Sequence, residues 1–215
     1  MAYLVLIRHG QSEWNALGKW TGWQDIPLTD KGRAEAQEAA KALEAADIKL
    51  HKAYTSKLMR AQQTLEEVKK HLGHIDLETE AHEALNERHY GDYTGMNKWE
   101  VKDEVGEEVF TSIRRSWDHP IPNGESLKDV HGRVQPYYEE HILADLKQGK
   151  NVIVAASGNS LRALAKHLEN TPEDQVHELE FGTGEVYMYT ISDDGKVINK
   201  TTFNSTNKDN HPVKP

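Results

Sequence analysis

The residues best suited to chemistry lie where an apolar run ends. Leu4-Val5-Leu6-Ile7 is followed by Arg8-His9-Gly10-Gln11-Ser12. A cation and an imidazole leave the run together, and the glycine lets backbone come close to a ligand. Such a group suits a histidine nucleophile that takes a phosphoryl group while Arg8 neutralises its oxygens. A surface Arg-His pair at a strand end is the plainer reading, and these few residues alone favour it. A second polar cluster also follows an apolar run. There Val154-Ala155-Ala156 leads into Ser157-Gly158-Asn159-Ser160-Leu161-Arg162. In open α/β sheets, ligands gather outside the carboxyl ends of strands, which gives the two clusters a common place.

Other chemistries fit less well. Ser157 invites a serine-hydrolase reading, but a nucleophile elbow needs glycine two places to either side, and Ala155 and Asn159 stand there. His71 and His74, with His82 nearby, have a spacing seen in zinc sites. Gly73 between them breaks the helix such a site would use, so solvent-exposed histidines are expected. No Walker pattern and no Gly-x-Gly-x-x-Gly is present.

The elements that must position these residues follow from periodicity. Residues 3–7 are rich in β-branched types and fit a buried strand. A loop with Gly10, Gly18, Gly22 and Pro27 comes next. Thr29 is placed to cap a helix over 30–46, where Ala36, Ala39, Ala40, Leu43 and Ala46 recur at helical spacing. A brief strand over 52–55, a helix over 57–72 and a strand over 75–79 are expected in turn. Residues 84–97 read as irregular, 98–117 as short helices and 118–124 as a turn. A long helix is expected from Glu125 to Lys147, kinked at Pro136. Val152–Ala156 reads as a second buried strand and Gly158–His167 as a helix. Val186–Ile191 and Lys196–Phe203 form a hairpin around Asp194-Gly195. Strands alternating with helices predict a single α/β domain over 1–203, a three-layer α/β/α sandwich with a mainly parallel sheet. Residues 204–215 are expected to be a flexible tail.

Composition narrows the partners. The 215 residues carry 26 Lys and Arg against 35 Asp and Glu, a formal net charge of −9. Such a chain is a poor generic ligand for nucleic acid or an anionic membrane, yet a local basic pocket for a small anion remains open to it. Cysteine is absent, which excludes disulfides, cysteine-zinc sites and thiol catalysis. No run approaches the roughly 18 apolar residues of a membrane span. The N-terminus lacks the basic lead-in of a signal peptide, and a cytoplasmic location is expected.

Further segments accompany the two clusters. Glu13-Trp14-Asn15 extends the first, and Trp20-Thr21-Gly22-Trp23-Gln24-Asp25-Ile26-Pro27-Leu28-Thr29 follows it. Thr55-Ser56-Lys57-Leu58-Met59-Arg60-Ala61 and Leu85-Asn86-Glu87-Arg88-His89-Tyr90-Gly91 come next. Arg114-Arg115-Ser116 and Glu125-Ser126-Leu127 precede Gly158-Asn159-Ser160-Leu161-Arg162. In order and interval, from Leu4 to about Gly184, the set closely resembles the cofactor-dependent phosphoglycerate mutases of the histidine phosphatase superfamily.

The resemblance implies a phosphoglycerate mutase-like fold and specific roles. His9 would become phosphohistidine. Its reactive nitrogen must be unprotonated, so its other nitrogen should donate a hydrogen bond. Arg8 and Arg60 would clamp the phosphoryl oxygens. Glu87 would exchange protons with the substrate hydroxyl. Ser12, Asn15, Thr21, Gly22, Tyr90, Lys98, Arg114, Arg115, Gly158 and Asn159 match substrate-holding positions. Taken singly, each has a plainer reading: Lys98 as a solvated helix residue, Arg114-Arg115 as an exposed face, Tyr90 as core, Glu87 as an ion-pair partner. The implied activity is interconversion of 3-phosphoglycerate and 2-phosphoglycerate, a step of glycolysis and gluconeogenesis, with 2,3-bisphosphoglycerate as primer and no metal. The alternatives are a phosphatase of the same superfamily and a catalytically silent phosphoglycerate-binding paralogue.

Two departures from the pattern stand out. Ser157 occupies the position of the family's second histidine, which faces the nucleophile. Serine is shorter and cannot carry positive charge, so turnover should suffer more than binding. A water or His89 is a candidate substitute donor. The connection from Ser116 to Glu125 is also short, which should open the site mouth. It argues for a monomer or homodimer over a tetramer.

Overall fold

The computed structural model describes residues 1–203, so the tail expected over 204–215 lies outside the described residues. The chain runs β1 (Ala2–Arg8), α1 (Glu13–Ala16), α2 (Asp30–Ala45), β2 (Lys52–Thr55), α3 (Met59–His71) and β3 (Thr79–Ala81). It continues through α4 (Lys98–Val105), α5 (Glu107–Arg115), α6 (Leu127–Tyr137), α7 (Leu143–Lys147), β4 (Val152–Ala156), α8 (Gly158–Glu169), β5 (Val186–Ile191) and β6 (Val197–Phe203). The sheet has the order β3-β2-β4-β1-β5-β6. Pairings among β3, β2, β4 and β1 are parallel, and β5 and β6 add an antiparallel edge.

Alternation along the central strands builds the three layers. Leu4 and Leu6 of β1, with Val152 and Val154 of β4, pack against Leu127, Val130 and Val134 of α6 and Leu161 and Leu164 of α8. Val5, Ile7, Ile153 and Ala155 face the other way, onto Ala39, Ala40 and Leu43 of α2 and Leu65 and Val68 of α3. Both sheet faces are covered, which is why these strands read as continuous apolar runs. Thr29 caps α2 by accepting from Gly32 N, as its residue type led us to expect.

Two expectations shift. The strand expected over 75–79 forms instead at Thr79–Ala81. Gly73 ends the preceding helix at a φ of 69°, and the chain turns, with Leu77 N donating to His74 O, before it meets β2. The long helix expected from Glu125 begins at Leu127 because Ser126 caps it with a reciprocal Asp129 contact. Its break is a wide π-type turn over Tyr138–Ile142 just after Pro136. Proline has no N–H to give the Gly132 carbonyl, and one extra residue per turn keeps both Tyr137 and Tyr138 buried.

A third apolar cluster sits apart from the sheet. Trp20, Tyr90, Val101, Phe110, Ile113 and Ile121 pack together. It joins the loop after α1 to α4 and α5, and so carries a second set of polar residues toward the strand ends. The short 118–124 turn packs tightly on the Tyr90–Gly91 backbone, where a Cβ on Gly91 would meet Pro122 O at 1.9 Å.

Candidate active site

His9 follows the last residue of β1, and its N–H donates to Ala156 O of β4 at 3.0 Å. The register Arg8↔Ala156 makes the two strands end side by side, so His9 and Ser157 leave the sheet as neighbours. The His9 ring is buried, and its Nδ1 lies 2.7 Å from Gly10 O. A carbonyl only accepts, so Nδ1 carries the proton and Nε2 is bare. Arg60 Nε donates to that Nε2 at 3.2 Å, which requires the same tautomer. Burial, then the charges of Arg60 and Arg8, hold the His9 pKa well below the ordinary histidine value. The imidazole is therefore neutral and nucleophilic at physiological pH.

Backbone packing fixes this geometry. A Cβ on Gly10 would lie 2.1 Å from Gly32 O, so the loop leaving β1 rests directly on the start of α2. Gly10 N also donates to Thr64 Oγ1 of α3. Arg60, in the first turn of α3, donates from Nη1 to Gln24 O and from Nη2 to Gly22 O. Arg8 donates from Nη1 to Phe181 O at 2.5 Å, and its buried Nε has no hydrogen-bond partner. Burial is the main force lowering both guanidinium pKa values.

Glu87 faces this group from a loop. Its Oε1 accepts from Arg88 N at 2.7 Å, Asn159 N at 3.2 Å and Asn159 Nδ2 at 2.9 Å. Its Oε2 has no protein donor among the described residues. The Glu87 carbonyl is held by Trp23 Nε1 at 2.6 Å and Arg133 Nη2 at 3.0 Å. Arg133 also reaches Ala84 O and Asn86 O and pairs through two bonds with Glu125.

The third cluster brings the remaining cations. Lys98 begins α4, over the Trp20 ring at 5.5 Å. Burial and then Arg114 and Arg8 push its pKa down to about 8. Arg114, at the end of α5, is lowered by burial and then by Arg115. Arg115 pairs with Glu180 at 2.7 Å. Tyr90 packs on Trp20 at 4.5 Å between ring centroids, and its hydroxyl accepts from Asn159 Nδ2 at 2.9 Å.

Arg8, His9, Asn15, Thr21, Gly22, Arg60 and Glu87 line one cleft together with Tyr90, Lys98, Arg114, Arg115, Gly158 and Asn159. Ser12 does not line it. That residue is buried and caps α1, accepting from Asn15 N while Asn15 Oδ1 accepts from Ser12 N. Ser157 is also buried behind the lining, at the head of α8, and its Oγ has no hydrogen-bond partner. Lys19, Glu180 and Phe181 line the cleft without having been singled out from the sequence, and Trp20 and Arg162, quoted there only within motifs, line it as well. Arg162 had a signal, since it lies one helical turn from Asn159. Glu180 and Phe181 had none, because only folding brings their loop to Arg8. Seven cationic side chains line the cleft against two acidic ones, in a chain of net charge −9.

Among the described residues, no group of three or more His, Asp or Glu is placed to hold a metal. His71 pairs instead with Glu44, and His82 caps the next turn and stacks on Tyr137. No helix among the described residues is long and apolar enough to cross a membrane.

Comparison with known proteins agrees with this geometry. The family model of the histidine phosphatase superfamily (branch 1) matches residues 4–204. A 2,3-bisphosphoglycerate-dependent phosphoglycerate mutase of Parvibaculum lavamentivorans is 47% identical over 197 residues, 92% of this chain and 94% of that one. The fold is shared with a mycobacterial glucosyl-3-phosphoglycerate phosphatase at a TM-score of 0.81, with 24% identity over 95% of this chain and 99% of that one. An alpha-ribazole phosphatase of Shigella flexneri superposes at a TM-score of 0.74, with 26% identity over 88% of this chain and 91% of that one.

Proposed function

The chain belongs to the histidine phosphatase superfamily, and within it we propose that this enzyme interconverts 3-phosphoglycerate and 2-phosphoglycerate through phospho-His9. The observation that carries this reading is the cleft's charge, seven cationic side chains against two acidic ones around a neutral histidine. A monophosphate needs one such cationic group. Lys98, Arg114 and Arg115 form a second beside Arg8 and Arg60, which suits a ligand with a carboxylate as well as phosphate.

The same residues fit 2,3-bisphosphoglycerate, since the buried, unpartnered Arg8 Nε and the excess positive charge favour a polyanion. When bound, that molecule supplies the phosphoryl group that charges His9. Each residue's part then follows. His9 Nε2 attacks phosphorus as the bond to the departing oxygen breaks, and that oxygen takes the proton of the Glu87 carboxyl. Arg60 Nε releases Nε2 and, with Arg8, holds the phosphoryl oxygens. In the return step, Glu87 takes the proton of the attacking substrate hydroxyl while the His9–phosphorus bond breaks. The guanidinium groups supply the positive charge that a metal supplies elsewhere.

Ser157 supports a second statement about the same reaction. Its short, uncharged side chain adds no cationic donor to those of Arg8 and Arg60 at the position that the family's second histidine fills, so transfer is slow relative to binding.

The test is conversion of 3-phosphoglycerate to 2-phosphoglycerate with catalytic 2,3-bisphosphoglycerate, while acid-labile phosphate on the protein is followed. Turnover that His9→Ala abolishes is the expected result. Release of inorganic phosphate instead of 2-phosphoglycerate would make the enzyme a phosphatase. Binding with neither turnover nor labelling would make it a silent phosphoglycerate-binding paralogue.

A further inference from the structure

Arg162 is a buried cation without a carboxylate partner among the described residues. Its two terminal nitrogens donate to neutral oxygens, and its buried Nε has no hydrogen-bond partner. Nη1 donates to Asn159 Oδ1 at 3.0 Å and Arg114 O at 3.2 Å. Nη2 donates to Val176 O at 3.1 Å and Arg115 O at 3.3 Å. Burying a guanidinium among carbonyls is costly, so its placement calls for a reason beyond packing.

The reason lies in the Asn159 amide. Asparagine has one accepting and one donating end, and the two are easily exchanged by a flip. Arginine has only donors, so Arg162 can face only Oδ1. The flip is thereby closed off, and Nδ2 must point toward Glu87 Oε1 at 2.9 Å and the Tyr90 hydroxyl at 2.9 Å. We propose that Arg162 is a positioning residue that sets the direction of the Asn159 amide, and through it holds Glu87 and Tyr90 in register. The same guanidinium ties the end of α5, where Arg114 and Arg115 sit, to α8.

The kinetic consequence rests on the proposed role of Glu87 in proton transfer, and the test has one arm that does not. In the first arm, the Asn159 side-chain NH2 signals are assigned by nitrogen-15 NMR through their loss in Asn159→Ala. In the parent protein they should be sharp and slow to exchange. In Arg162→Met they should broaden or exchange rapidly. Unchanged signals overturn the proposal whatever reaction the enzyme catalyses.

In the second arm, kcat and KM are measured for Arg162→Met, Asn159→Ala and the double variant. Arg162→Met should lower kcat by about ten- to a hundredfold, the loss expected for a hydrogen bond to a charged group. The double variant should be no slower than Asn159→Ala, because Arg162 acts through that residue. Additive losses would mean that Arg162 acts independently and would overturn the proposal. If Arg162→Met does not fold, Arg162→Lys replaces it. A single ammonium cannot span Asn159 and the three carbonyls, so both readouts should move in the same direction. Absence of mutase turnover in the parent protein would refute the proposed reaction and leave the NMR arm to decide the brace.

Discussion

Binding of phosphoglycerate should draw a proton onto Lys98. Its ordinary pKa of 10.5 is pushed down to about 8 by burial, Arg114 and Arg8, and only Glu87 pulls the other way. A displacement of that size corresponds to about 3 kcal/mol against the charged ammonium, an upper figure because the side chain is only half-buried by exposed area. An anion arriving in the cleft reverses the balance, since opposite charge favours the ammonium. At about pH 8.5 roughly three-quarters of the free Lys98 population is neutral, and almost none is once the pKa returns toward its ordinary value. Binding should therefore take up about 0.7 proton at that pH and about 0.1 at pH 7. The assay is calorimetric titration with 3-phosphoglycerate in two buffers of different ionisation enthalpy. The difference in observed heat gives the proton count. Lys98→Met should remove most of the uptake at the higher pH while binding weakens. No buffer dependence at that pH, or an equal uptake in Lys98→Met, would refute the electrostatic account of this cleft.

Three further outcomes are expected. Ser157→His should raise mutase turnover by about a hundred- to a thousandfold, or ~3–4 kcal/mol of transition-state stabilisation, and an unchanged rate would refute the role given to that position. The nitrogen-15 shifts of His9 should show a bare Nε2 well below pH 6.5, so a midpoint at or above the ordinary value would contradict its burial between Arg8 and Arg60. In that window the unfolded chain binds more protons than the folded one. His9 thus contributes stability above about pH 6.5 that is lost as pH falls toward its folded value, which thermal melts across the range would reveal. Gly32→Ala should destabilise by about 1–3 kcal/mol or more, because its Cβ would stand 2.1 Å from Gln11 O, and an unshifted melting temperature would show that the loop yields freely.

The layers of the fold were legible because two strands are buried on both faces and the paired helices keep a clean apolar stripe. Along the α6–α7 region Leu127, Val130, Val134, Tyr137, Tyr138, Ile142 and Leu146, at helical spacing, are all buried. β3 was misplaced because it has three residues, none of them fully buried, and no periodicity to read. Within the site, Arg8 and His9 drew notice by type and by their place at a strand end, but these residues alone favoured a surface pair, and like Glu87, Lys98 and Arg114 they gained their roles from a resemblance to known sequences. The braces were illegible for a physical reason. Arg133 holds carbonyls 46 to 49 residues away, and Arg8 meets Phe181 O across 173 residues. A carbonyl looks the same on every residue, so no side-chain pattern could mark these partners in advance.

That choice of partner also explains how an acidic protein keeps a cationic cleft. A carboxylate beside each buried arginine would satisfy its hydrogen bonds and cancel its field. Here Arg8 donates to Phe181 O, Arg60 to Gly22 O and Gln24 O, and Arg162 to Arg114 O, Arg115 O and Val176 O. Carbonyl dipoles take terminal donors of each guanidinium while leaving its net charge uncancelled, and the Nε of Arg8 and of Arg162 stays unpartnered. The contrast lies just behind the cleft, where Arg133 supports the Glu87 loop and is paired with Glu125 through two bonds. Charge left unneutralised costs folding stability, since burial lowers the pKa of Arg8, Arg60, Lys98, Arg114 and Arg162 alike. On the proposed function, a polyanionic ligand would relieve that cost on binding, so affinity for phosphates and the cost of folding the empty cleft would have one origin.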